Sequence, residues 1–286
     1  MNAKKKVLSV SMLMSLYWKE KPEWFRLSLE SIEGQSQLPE EVVLVLDGPI
    51  GDKLKVVIKD FEERWRGTEE MPIRLRVVKL RENRGLGLAL AEGLRHCSHE
   101  LVARMDTDDI MMPQRLERQA VFMERHRDVA VCGAWIDEFV EENGKRVVMA
   151  TRKLPERHDA ILAFGRGRNP MNHPVVMFRK SRVENVGSYE HFPLFEDYFL
   201  WAKMLTHGDR FHNLQESLLW FRQNKDTYRR RGGFKYACDE VRFQCAICKL
   251  GLISPITAAK NICIRFGVRV MPNAMREVIY KKLLRK

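Results

Sequence analysis

The chain has 286 residues, enough for one large domain with a sizeable core. Its 45% hydrophobic and 31% charged residues match globular usage rather than disorder. No apolar run approaches the roughly 18 residues that span a bilayer, so an integral membrane protein is not expected. The net charge of +12 is lopsided: residues 1–150 carry 24 Lys and Arg against 26 Asp and Glu, and residues 151–286 carry 26 against 12. A basic half points to an anionic partner (nucleic acid, phosphorylated substrate or acidic lipid) or to a merely solvated cationic face.

In chain order, the basic start Met1–Lys6 runs into Val7–Met14 without a small-residue cleavage site. It reads as a first strand rather than a secretory signal, which places the chain in the cytoplasm. Pro22 precedes a helical pattern over Glu23–Gln35. Val42–Leu46 is apolar at every position, as a strand buried on both faces should be. Lys53–Trp65 reads as a helix, Ile73–Lys79 as a strand, Leu86–Cys97 as a helix, Glu100–Met105 as a strand, Gln114–His126 as a helix and Val129–Trp135 as a fifth strand. Strands alternating with helices of this length predict a parallel sheet covered on both faces. Beyond about residue 145 the pattern is less regular, with helices over Glu156–Phe164, Glu196–Leu205 and Phe234–Leu250 and strands over Val175–Phe178 and Glu216–Phe221. One α/β domain with a helical C-terminal extension follows, divided as 1–225 and 226–286.

Ligands of open parallel sheets bind beyond the carboxyl ends of the strands. The second strand ends there in Asp47-Gly48-Pro49, the third in Arg81–Gly87, and the fourth in Asp106-Thr107-Asp108-Asp109. Three carboxylates within four residues repel one another and call for a cation, a hard divalent metal with substrate phosphates being the natural fit. The plain alternative is a solvated acidic turn with Asp109 capping the helix at Pro113.

Taken together, Val10–Met14, Ser28-Leu29-Glu30-Ser31-Ile32 with Gln35-Ser36, Val42–Leu46 with Asp47-Gly48, Asn83-Arg84-Gly85-Leu86 through Gly93-Leu94, and Ala103–Asp109 follow a recognisable order and spacing. The chain resembles the family 2 glycosyltransferases of GT-A fold over roughly residues 7–225, especially bacterial enzymes of capsule, exopolysaccharide and O-antigen assembly. The resemblance implies a Rossmann-like, mostly parallel sheet with helices on both faces. It also implies inverting transfer of one sugar from a nucleoside diphosphate sugar, expected to be a UDP-sugar, to a lipid-linked glycan. By the same resemblance, Asp47 contacts the nucleobase or ribose, Asn83 and Arg84 lie near the nucleoside, and Asp106 and Asp108 hold Mg²⁺ or Mn²⁺, with Asp108 the direct ligand. One departure stands out: the usual Asp-Asp-Gly-Ser is here Leu46-Asp47-Gly48-Pro49, which keeps a single acid.

Phe195-Glu196-Asp197-Tyr198 is similar to the family's Glu-Asp segment, whose second acid is the base, so Asp197 is the expected catalytic residue; a helix N-terminal acid is the plain reading. His173, in Asn172-His173-Pro174, serves either the metal and diphosphate or a structural hydrogen bond. Arg229–Arg231 either cradles phosphate or forms a solvated turn. Phe234, Cys238, Val241, Cys245, Cys248 and Leu252 recur at helical spacing, which predicts buried thiols rather than a zinc site. The tail from Pro255 to Lys286 carries eight basic residues and one acid, Glu277, with Met275, Val278, Ile279 and Leu283 on one helical face. It is expected to hold the enzyme on the anionic inner face of the plasma membrane. Two rivals share parts of this pattern: a nucleic-acid binder, for which no helix-turn-helix or RNP pattern appears, and a nucleotidyltransferase, whose glycine-rich first loop is absent from Met12–Tyr17.

Overall fold

A computed structural model describes residues 9–65, 72–142, 144–223 and 234–270, with 267–270 as backbone only. Two compact units result, 1–222 and 223–286. The first is built on β1 (Val10–Leu16), β2 (Glu41–Leu46), β3 (Arg74–Lys79) and β4 (Leu101–Arg104), parallel to one another in the order β3-β2-β1-β4. Between them run α1 (Pro22–Glu33), α2 (Asp52–Trp65) and α3 (Leu86–His96). Every residue of β2 is buried, which accounts for its unbroken Val/Leu run. Its one charged member, Glu41, is held by Ser11 Oγ at 2.6 Å and by the Ser98 N–H and hydroxyl at 2.5 and 3.1 Å. Burial alone would raise that carboxyl, but these hydrogen bonds outweigh it and hold it below its ordinary value.

Beyond β4 the sheet departs from the simple alternation. A two-residue strand, β5 (Ile110–Met111), precedes α4 (Arg115–Arg125). The fifth predicted strand is β6, extended to Val129–Glu142, and it turns back as β7 (Lys145–Arg152), a hairpin partner absent from the sequence reading. β6 does not lie beside β4. The short β8 (Met177–Arg179) lies antiparallel between them, and β9 (Arg210–Arg222) pairs parallel to β6 and antiparallel to β5. The sheet is therefore mixed, with a parallel half whose strand ends carry the acidic loop. Helices α5 (His158–Gly165), α6 (Lys180–Asn185) and α7 (Glu196–Thr206) complete this unit.

Among the described residues the second unit is a helical pair, α8 (Phe234–Lys249) and α9 (Pro255–Val270). The buried face of α8 is not the predicted cysteine stripe. Tyr236, Ala237, Glu240, Phe243, Gln244 and Ile247 are buried, whereas Cys245 and Phe234 are exposed and Cys238 and Cys248 half-buried. The buried face is the one α9 complements: Arg265 pairs with Glu240 at 2.8 Å and Asn261 donates to Gln244 at 3.0 Å. Arg229–Arg231 and the amphipathic tail beyond residue 270 lie outside the described residues. No helix among the described residues is long and apolar enough to cross a membrane.

Candidate active site

Ser28 and Ser31, neighbours on one face of α1, and Gln35, two residues past its end, hold the acidic loop in place. Ser28 Oγ donates to the Asp106 carbonyl at 3.3 Å, the Met111 N–H donates to Ser31 Oγ at 3.1 Å, and the Gln35 amide spans the Met112 carbonyl and the Leu116 N–H at 2.9 and 3.1 Å. The loop leaving β4 is thus fastened at both ends to the helix that follows β1.

Within that loop, carboxylate oxygens of Asp106, Asp108 and Asp109 lie within 4.8 Å of one another. Asp109 caps no helix: α4 begins at Arg115 with Gln114 at its N-cap. Instead Asp109 is buried, accepting the Arg222 N–H at 2.9 Å through Oδ1, while its buried Oδ2 has no hydrogen-bond partner among the described residues. Removal from water, then the charges of Asp106 and Glu20, push Asp108 up to about 7. Burial and the charges of Asp108 and Asp106 hold Asp109 well above its ordinary value. An orphaned buried carboxylate oxygen on Asp109 beside two further acids fits a hard divalent ion.

Several neighbours carried no role in the sequence reading. Arg104, fully buried in β4, donates from Nη1 to Asp106 Oδ2 at 3.0 Å and from Nη2 to Asp106 Oδ1. Glu20, in the loop after β1, accepts the Thr107 hydroxyl at 2.8 Å, and burial raises its carboxyl. Arg222, the last residue of β9, donates from Nε to the Asp108 carbonyl at 2.9 Å and pairs with Glu141 at 2.7 Å. A signal for Arg104 was present: a charged residue inside a strand buried at every position requires a partner. Nothing local marks Glu20 or Arg222.

At the end of β2, Asp47 is buried, and both its carboxylate oxygens are engaged, accepting the N–H groups of Arg84 and Gly85 at 2.7 and 3.0 Å. Its carbonyl accepts the Asn83 amide at 3.1 Å. Asp47 therefore shapes the loop that opens α3 and supplies negative charge at that helix's N-terminus. The side chains of Asn83 and Arg84 remain exposed at the loop's surface. Gly48 has φ of 85°, and an added Cβ would come 2.7 Å from the Asn83 nitrogen. Gly48→Ala is expected to cost about 1–3 kcal/mol in left-handed strain and to displace the Asn83–Gly85 loop. A lowered unfolding midpoint together with weaker nucleotide binding, read by calorimetry, checks this.

The start of α7 reaches the same end of the sheet. A Cβ on Gly87 would strike the Glu190 carbonyl at 2.6 Å and Glu196 Cβ at 3.0 Å, so that glycine lets the segment before α7 lie directly on α3. Asp197 accepts Asn169 Nδ2 at 2.6 Å and the Tyr198 N–H at 2.7 Å. Burial first, then the charge of Asp197, push Glu196 up to about 7, and the charges of Arg104 and Asp106 are felt there too. His173 is buried, its Nε2 3.0 Å from the Tyr189 hydroxyl. Burial, then Arg104, hold its imidazole well below its ordinary value and hence neutral. His173 thus makes a buried hydrogen bond, on a segment separate from the loop that carries the acids.

The raised acids make stability depend on pH. In the unfolded chain Asp108 and Glu196 are ionised by neutral pH; in the folded chain both titrate near 7, so the folded state holds more protons through that interval. In excess chelator the unfolding midpoint should fall as pH rises from about 5 to about 7, by up to roughly 1 kcal/mol per pH unit for each carboxyl, and level off above that. Added Mn²⁺ should reverse the fall. A midpoint that rises over the interval, or ignores the ion, contradicts this picture.

The family model described as Glycosyl transferase family 2 matches residues 13–186. An Escherichia coli protein named UDP-Gal:alpha-D-GlcNAc-diphosphoundecaprenol beta-1,3-galactosyltransferase is 37% identical over 96% of this chain and 96% of its own length. The amylovoran biosynthesis glycosyltransferase AmsE of Erwinia amylovora is 39% identical over 95% of this chain and 98% of its own. Among solved structures, S. aureus TarS 1–349 in complex with UDP-GlcNAc superposes with a TM-score of 0.66 at 17% identity, covering 96% of this chain and 76% of that one, a likeness of fold. The three readings of the sequence are thereby separated, since these sequence relatives are described as glycosyltransferases.

Proposed function

The chain belongs to glycosyltransferase family 2, and on that premise we propose that it moves one sugar from a UDP-sugar to a lipid-linked saccharide during bacterial surface-polysaccharide assembly, with inversion. The observation that carries the reading is the joint placement of two acidic groups at one end of the sheet: the Asp106–Asp108–Asp109 cluster with its unpartnered oxygen, and the Glu196–Asp197 pair at the start of α7.

In this reading Asn83 and Arg84 meet the nucleoside on the loop that Asp47 organises. Each Asp47 oxygen keeps lone-pair capacity for a ribose or base donor. Asp106 and Asp108 would hold a divalent ion for the diphosphate. When bound, such an ion neutralises charge gathering on the departing nucleoside diphosphate. Arg104 fixes the Asp106 carboxylate from within the sheet. Asp197, aimed by Asn169, takes the proton of the acceptor hydroxyl as that oxygen bonds to the anomeric carbon, and the bond from that carbon to the phosphate oxygen breaks with its electrons left on the nucleoside diphosphate. His173 acts by position, through Tyr189, because a neutral ring brings no charge to the diphosphate. Peripheral residence on the inner face of the plasma membrane belongs to the same reading, since such an acceptor stays in the bilayer.

The test is a panel of UDP-sugars offered with a polyprenyl-diphosphate-linked saccharide, with and without Mn²⁺ or Mg²⁺. Acceptor-dependent release of UDP from one donor is the expected result. Release of pyrophosphate, or no nucleoside diphosphate from any donor, overturns the proposal.

A further inference from the structure

The loop after β1 and the first turns of α1 and α2 carry an apolar surface that sugar transfer does not use. A groove of roughly 520 Å³ runs between the two helix starts, floored by Pro22, Leu27, Val56 and Val57. Leu27 is 37% exposed, Val56 63%, and Trp18, four residues ahead of Pro22, 60%. Leu27 and Val56 at such exposure share one groove, with Trp18 exposed in the loop that leads into it, and apolar surface of this kind marks a face that meets something.

Position says where that partner lies. In parallel crossovers a helix starts at the carboxyl end of the preceding strand, so the first turns of α1 and α2 open at the same end of the sheet as the acidic loop. The connection is direct: Glu20, two residues after Trp18, takes the Thr107 hydroxyl of that loop.

Charge says what chemistry the partner has. Arg26 is paired with Asp60 and Lys55 with Asp52. Lys53 lies at the rim of the apolar floor, faced by Glu23, and Lys19 and Lys21 are exposed in the loop that leads into α1. Lys19 and Lys21 lie over the rings of Trp18 and Trp24, at 4.8 and 3.9 Å from the centroids. Apolar side chains surrounded by lysines and an exposed tryptophan match an interface of acyl chains and anionic headgroups. The exposed Val147, Val148 and Met149 of β7 lack this complementarity, because Lys145 and Arg146 sit opposite Glu142 and Glu141 on β6.

We propose that Trp18 and the groove between the starts of α1 and α2 form a docking surface for an anionic lipid bilayer. The enzyme seats there with its donor loops turned toward the membrane that holds the acceptor. The acceptor's location in the bilayer rests on the proposed function; the surface itself rests on the residues above.

The experiment is flotation of the full chain, without any donor, on vesicles of phosphatidylethanolamine with phosphatidylglycerol and on vesicles of phosphatidylcholine. Wild type should float on the anionic vesicles, more weakly as salt rises, and not on the neutral ones. The doubly substituted Leu27→Glu, Val56→Glu protein should bind about tenfold or more weakly, with UDP-sugar hydrolysis in solution unchanged. Lys19→Glu with Lys53→Glu, which leaves the apolar floor intact, should do the same through charge. Wild type that fails to float, that floats equally on phosphatidylcholine, or that is matched by both variants overturns the surface. Wild type that floats as expected yet turns over no UDP-sugar supports the surface and counts against the proposed function.

Discussion

Replacing Asp108 by alanine is expected to lower sugar transfer by on the order of 10³-fold or more and to weaken donor binding with it. Asp108 stands between Asp106 and Asp109 in chain order, and its carboxyl is pushed up to about 7 by removal from water and by neighbouring acids. That arrangement is unfavourable without a cation, and substitution removes both the repulsion and the ligand. Asp108→Ala should therefore unfold at a higher temperature than wild type in chelator, while losing the stabilisation that Mn²⁺ gives wild type. Ordinary structural damage would move both readings down together. Calorimetric titration with Mn²⁺, in the presence and absence of UDP, reads the ligand role without relying on turnover. Wild type that keeps full activity in excess chelator would sink the metal assignment.

The second large effect is expected at Asp197. Asp197→Asn should reduce kcat by about 10²–10⁴-fold and leave donor affinity nearly unchanged, as removal of a proton acceptor on the acceptor side requires. Asparagine preserves size and can still accept the Tyr198 N–H, and Asn169 can turn its amide to offer oxygen instead of nitrogen by giving up the Met171 N–H it accepts at 3.3 Å. The loss would then belong to basicity rather than to collapse of the loop. Glu196→Gln is the companion variant. Above about 7 the Glu196 charge repels that of Asp197 and makes it a stronger base, so wild-type kcat should rise through that region. Glutamine, which imitates the protonated acid, should flatten the rise. If Asp197→Asn loses donor and metal binding together, Asp197 belongs to the donor site instead.

Family membership carries the activity, and the structure adds how the acids are held. Ser28 and Ser31 on α1 and Gln35 just past its end fasten the acidic loop, and Gly87 admits the segment that leads into α7. These residues lie in different stretches of sequence, which explains why a pattern spread over much of the chain describes one compact end of the sheet.

What the sequence determined by itself was whatever depends on neighbours in the chain. The unbroken apolar run Val42–Leu46, the periodicity of Glu23–Gln35 and Leu86–Cys97, and the repulsion within Asp106–Asp109 are local properties, and each appears in the structure where the residues placed it. What only the tertiary structure decided was pairing between distant residues. The insertion of β8 between β4 and β6, and the choice of β9 as the second partner of β6, depend on which strand edges meet, and no periodicity encodes that. On α8 two faces offered apolar side chains, and the buried one is the face whose Glu240 and Gln244 find Arg265 and Asn261 on α9. At the site, Asp47 turned its carboxylate to two backbone N–H groups, and Asn169 found Asp197. The physical reason is common to all of these: a buried polar group must be satisfied wherever a partner arrives, and which partner arrives is settled by the packing of the chain rather than by the residues on either side.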